Sequence, residues 1–166
     1  MADGTDRPGH GAGGGRPLRL SAYLPYRLSV ASNKASSIIA RAYQARFGLT
    51  IWEWRVIAVL GEGAALTAQA ICEATAMDKV TVSRAIRALD ERGLIARTPS
   101  ATDRRASDVA LTKEGRAVYQ DIAPLALDYE RALLDGFSAD ERARLSDLLE
   151  RLEARADALN ADGDGF

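Results

Sequence analysis

The feature that most constrains this chain is a change of hydrophobic period at Gly93. Before it, in "DKVTVSRAIRALDERG", Val82, Ala85, Ile86 and Leu89 recur at the spacing of one helical face. After it, "LIARTP" and "ASDVALT" alternate in or near period two around "SATDRR", the pattern of a β-hairpin. Asp78 stands where an N-cap belongs, and Gly93 where a left-handed residue stops a helix. The expectation is a helix over about 79–91 running straight into a hairpin over about 94–111.

The flanking pattern is helical throughout. A helix over about 23–46 carries Leu24, Leu28, Ala31, Ala35, Ile38 and Ala42 at helical spacing and stops at Gly48. "TIWE" has the capping-box spacing of Thr50 and Glu53 and opens a second helix reaching about Leu60. Thr67 caps a short third helix, about 68–74. After the hairpin, Thr112 caps a fifth helix, about 113–134, that Pro124 is expected to kink. Gly136 and the Ser138–Glu141 pair then separate it from a sixth, about 139–159. That last helix bears Leu145, Leu148, Leu149, Leu152, Ala156 and Leu159, a near-heptad stripe. The fold class is therefore mainly α with a small β-hairpin wing: a winged helix-turn-helix lobe, about 50–112, plus helical regions, about 20–47 and 113–159. Residues 1–17 read as a disordered glycine-rich leader and 160–166 as a frayed tail, bracketing a single domain over 18–159.

Composition supports one globular domain: 47% apolar, 27% charged and only 6% aromatic in 166 residues. A lone cysteine, Cys72, leaves no intramolecular disulfide and suits a reducing cytosol. No apolar run is long enough for a membrane span. The only histidine, His10, sits in the leader, and neither a metal-ligand cluster nor a glycine-rich phosphate loop is present in the sequence. Asn160, Asp162, Asp164 and Gly165 echo a calcium loop, but the sequence stops before its twelfth-position carboxylate. No cofactor, metal or enzymatic activity is therefore expected. The formal charge of −1 conceals an uneven distribution: residues 78–116 sum to +3 and residues 117–166 to −7. The basic middle keeps nucleic acid open as a partner.

A short helix, a tight turn and a second helix followed by a hairpin is the geometry of a winged helix-turn-helix. The face of helix 79–91 opposite its apolar stripe shows Lys79, Thr81, Ser83, Arg84 and Arg87, side chains that bond phosphates and base edges. The same face also suits a merely solvated amphipathic helix. In "TDRRASD", Asp103 and Arg105 are two apart and point the same way, so the carboxylate can fix the guanidinium for a narrow minor groove, with Arg104 free for phosphate.

On these residues the chain resembles the MarR family of winged helix-turn-helix regulators. The motifs are "DKVTVSR" at the start of the fourth helix, "LDERGLIAR" into the wing, "DRR" at its tip and "LTKEG" into the fifth helix, with "FGLTIWEWRVIAVL" in the second. The resemblance spans about residues 20–158. It implies a bacterial, nucleoid-associated cytoplasmic homodimer formed by helices 1, 5 and 6. It further implies a pseudo-palindromic double-stranded operator, bound most often as a repressor, with helix 79–91 in the major groove and the wing in the minor groove. The leucine stripe near the C-terminus independently asks for a partner chain.

The resemblance also implies release by a small aromatic carboxylate or its coenzyme A thioester. Tyr26, Arg27, Arg41, Arg46, Trp52, Trp54 and Arg55, with Tyr23 close by, would supply aromatic walls and a cation. The alternative is that Tyr26, Trp52 and Trp54 simply pack the lobe junction. A redox-responsive regulator using Cys72 is a further alternative, against which mid-helix Cys72 reads as a buried structural thiol. So is a winged-helix module that binds protein instead of DNA.

Overall fold

Side-chain caps set most of the helix starts. In the structure, a computed structural model describing residues 17–99, 107–161 and 163, the helices are α1 (Leu24–Phe47), α2 (Ile51–Gly61), α3 (Ala68–Thr75), α4 (Lys79–Glu91), α5 (Lys113–Leu133) and α6 (Ala139–Ala161). At α2 the Glu53 NH donates to Thr50 Oγ1 (3.2 Å) and the Thr50 NH to Glu53 Oε2 (2.7 Å), a complete capping box. Ser138 and Glu141 repeat it at α6. The Ser138 NH and hydroxyl hold the Glu141 carboxyl below the usual carboxylate range. Thr67 and Thr112 cap α3 and α5 by accepting the Ala70 and Gly115 NH groups. α5 passes through Pro124 as one continuous helix.

The sheet has one strand more than the hairpin reading. β1 (Leu66–Thr67), β2 (Ile95–Pro99) and β3 (Ser107–Leu111) form an antiparallel sheet in the order β1-β3-β2, with Leu66 opposite Val109 and Ile95 opposite Leu111. Two residues are too few to show a period, so β1 has no sequence signature beyond the Thr67 cap. Period two also fails along β2. Ile95 is buried while Ala96, Arg97, Thr98 and Pro99 are exposed, because the strand leaves the core after its first residue.

The chain divides into two compact units, Met1–Ala35 and Ser36–Phe166. In the first, the described residues form a 3-10 turn (Leu20–Ala22) and the opening turns of α1, with Leu18, Leu20, Tyr23, Leu24, Tyr26 and Leu28 exposed. The second holds the buried core. Val56, Ile57 and Leu60 of α2, Ile71 of α3 and Val82, Ile86 and Leu89 of α4 pack with Ile95, Val109 and Ile122. Burial of this kind stabilises by about 1.5–3 kcal/mol per large aliphatic side chain. Tyr43 joins the core with only 2% exposure, its ring 5.1 Å from Trp54, which in turn stacks on Tyr119 at 6.2 Å.

Two glycines are dictated by close approach. A Cβ on Gly115 would lie 1.9 Å from the Leu94 carbonyl oxygen, and one on Gly61 would lie 2.3 Å from the Tyr119 ring. They let α5 lie directly on the root of β2 and on α2. α6 differs from the rest of the second unit: among the described residues it buries none, and Leu145, Leu148, Leu149 and Leu152 are all exposed.

Candidate nucleic-acid interface

α3 and α4 are joined by the three residues 76–78. The turn is made by Ala76, left-handed at φ 51° and the single described non-glycine residue with positive φ, and by Asp78, the α4 N-cap. Met77 between them is buried and anchors the turn. Asp78 Oδ1 accepts the Val80 and Thr81 NH groups, both at 2.9 Å, and Asp78 Oδ2 accepts the Thr81 hydroxyl at 2.6 Å. That hydroxyl, followed by the backbone NH groups, holds the Asp78 carboxyl below the usual carboxylate range. Thr81, expected as an outward polar group, is thus half-buried with its proton engaged, leaving its oxygen lone pairs to accept.

The division of α4 into two faces is as its period requires. Val82, Ala85, Ile86 and Leu89 are buried, whereas Lys79, Ser83, Arg84 and Arg87 are exposed. The far end of the helix is fixed to its surroundings. Arg92 donates to the Gly48 carbonyl (3.1 Å) and the Phe47 carbonyl (2.8 Å), satisfying the end of α1 with a two-pronged fork. Gly93, at φ 68°, turns the chain, and the Thr112 hydroxyl donates to its carbonyl (2.8 Å) while capping α5. Arg97 of β2 lies 3.4 Å from Asp90 of α4, tying the base of the wing to the helix. The exposed cationic face is therefore carried on a braced helix. Asp103, Arg104 and Arg105 lie outside the described residues.

Residues 47–106 match the model of the MarR family, a stretch from the end of α1 through the wing. A probable transcriptional regulator from Pseudomonas aeruginosa is 31% identical, with a TM-score of 0.69 over 81% of this chain and 99% of that one. The chain belongs to the MarR family. A MarR/EmrR family transcriptional regulator from Acinetobacter sp. ADP1 has the same fold, at 28% identity and TM-score 0.79 over 85% of this chain and 99% of that one. A third similar structure, at 27% identity and TM-score 0.70 over 78% of this chain and 98% of that one, is BpsR of Bordetella bronchiseptica, whose DNA binding is regulated by 6-hydroxynicotinic acid. As a member of the MarR family the chain is a DNA-binding transcriptional regulator with a winged helix-turn-helix.

The residues expected around an effector are dispersed among different surroundings. Trp54 packs between Tyr43 and Tyr119, as the packing alternative anticipated for it. Trp52 and Tyr26 do not: both are exposed, at 45% and 46%. Arg55 lies over the Trp52 ring at 5.3 Å and Arg46 near the Phe47 ring at 6.0 Å. Trp52 also lines a hollow of about 310 Å³ with Thr50, Thr81, Arg84 and Ala88, between the start of α2 and the outward side of α4. Arg27 and Arg41 are exposed on α1. Cys72 is half-buried against the core, not fully buried, because it stands one position off the inward face that Ile71 occupies. Among the described residues no helix is long and apolar enough to cross a membrane.

Proposed function

We propose that the protein binds a pseudo-palindromic operator as a homodimer, with α4 in the major groove and the Asp103–Arg105 wing tip toward the minor groove. The observation that carries this reading is the exposed set Lys79, Ser83, Arg84 and Arg87 on a helix whose other face is wholly core. Arg84 stands nearer the N-terminus of α4, the end that probes base edges in a helix-turn-helix, and Arg87 one turn further along. Arg84 then reads a base and Arg87 anchors a phosphate. Sequence selection paired with salt titration tests this. Arg84→Ala should change the selected sequence at one position per half-site, at a cost of about 1–3 kcal/mol. Arg87→Ala should weaken all duplexes alike and flatten the salt slope by about one unit. Half-sites should lie about one helical turn apart, ~10 bp. Identical logos and slopes for all three proteins would remove α4 as the reading element.

The homodimer is supported by the uncovered leucines of α6. Release by a small aromatic acid or its coenzyme A thioester is supported by the regulation of BpsR by 6-hydroxynicotinic acid. Arg27, Arg41 and Arg46 are exposed along α1, as a cation that meets a carboxylate needs to be. A thermal-shift screen of aromatic acids and thioesters tests the effector. A compound that raises the melting temperature should also lower operator affinity, and thermal shifts without that loss would count against it as an inducer.

A further inference from the structure

The exposed indole of Trp52 is not explained by packing, and the hollow it lines is continuous with the outward side of α4. Thr81 and Arg84 border that hollow from α4, while Thr50 and Trp52 border it from the first turn of α2. Arg55 stands over the indole at 5.3 Å, and Arg84 lines the same hollow from α4. The one acid in the lining, Glu53, is 9% exposed and its carboxylate accepts the Thr50 NH at 2.7 Å, so it presents little charge outward. A partner seated on the outward face of α4 therefore meets, beside Arg84, an apolar ring with the Arg55 guanidinium over it. That combination suits the sugar-phosphate strand at the rim of a major groove: deoxyribose carbons against the indole, a phosphate oxygen toward Arg55.

We propose that Trp52 is a sequence-neutral DNA contact, resting on the reading of α4 as the element that enters the major groove. The occupant of the hollow is the backbone of the same duplex that α4 reads, and Trp52 fixes how deeply that helix sits.

The two tryptophans differ in environment, which makes the assignment measurable. In a Trp54→Phe protein the remaining emission belongs to Trp52, and its quenching by acrylamide is followed with and without a fluorescein-labelled duplex obtained by sequence selection. Duplex binding, read independently by anisotropy, should shield Trp52 from acrylamide. Trp52→Ala in the otherwise wild-type chain should weaken every duplex about tenfold, equivalent to ~1.4 kcal/mol, and leave the selected sequence unchanged. Should the Trp54→Phe chain fail to fold, the difference in emission between wild type and Trp52→Phe isolates the same indole. Bound duplex with Trp52 still fully quenchable, or Trp52→Ala binding like wild type, overturns the contact while leaving the DNA-binding reading intact. No anisotropy rise on any duplex overturns both. Shielding by benzoate but not by duplex would make the hollow an effector seat and likewise overturn the assignment.

Discussion

Ala76 carries a conformation that its side chain disfavours. The left-handed region costs an L residue about 1–2 kcal/mol, more than the roughly 0.5–1 kcal/mol by which a glycine's extra freedom weakens folding. Ala76→Gly is therefore expected to stabilise by about 0.5–1 kcal/mol, seen as a higher urea midpoint with an unchanged slope. The turn between about 74 and Asp78 was legible, but its left-handed residue was not, since that conformation is read from glycine or asparagine and not from an alanine. Tyr43 was hidden for another reason. Its environment is made by Trp54 and Tyr119, residues distant in sequence, and no local pattern announces three aromatic rings meeting. Burial, with neighbouring Tyr129 adding to it, pushes the Tyr43 hydroxyl from 10.0 up to about 12. A raised folded-state value favours the neutral form, so its contribution is intact below pH 10 and is lost as pH rises from there toward about 12. Urea midpoints for wild type and Tyr43→Phe should run parallel at neutral pH, with the variant losing less stability across that alkaline window.

At the scale of elements, the caps made the boundaries legible. Thr50, Thr67, Asp78, Thr112 and Ser138 each mark a helix start, and each occupies that place in the structure. What could not be read is how the elements touch. "LTKEG" was legible as a strand running into a helix, but the reason for its glycine appears only in the contact of Gly115 with the Leu94 carbonyl. That carbonyl also accepts the Thr112 NH at 3.1 Å, so the start of α5 and the root of the wing share one junction. Gly115→Ala must push them apart and should cost about 1–3 kcal/mol. It should also displace the wing root relative to α4, so affinity for a selected duplex should fall at temperatures where circular dichroism shows the variant still folded. A variant that is destabilised but binds normally would separate the junction from recognition.

For the whole molecule, the opposition of a basic middle and an acidic end was visible in the charge count, and family membership followed from the order of several weak motifs. The unevenness of the core was not visible. α4 and α6 both carry an apolar stripe, yet α4 buries Val82, Ala85, Ile86 and Leu89 while α6 buries no described residue within its own chain. Arg142 donates to the Leu134 carbonyl (2.9 Å) and the Phe137 carbonyl (3.1 Å), so α6 is held at its first turns to the end of α5 while its leucines stay uncovered. If a second chain covers them, Leu149→Asp with Leu152→Asp places charge in an apolar seam, and light scattering should report half the wild-type mass. An unchanged mass would count against that seam.

The uncovered leucines have one more consequence, which concerns dilution. If a second copy is what shields this surface, it does so only as often as two chains meet, and part of the folding free energy is then governed by mass action. The melting temperature of the native protein should therefore climb with the logarithm of its concentration, and the Leu149→Asp, Leu152→Asp variant should lose that climb. In a cell the same dependence would link the amount of folded regulator to the rate at which it is made, and a scarce chain would also be a fragile one.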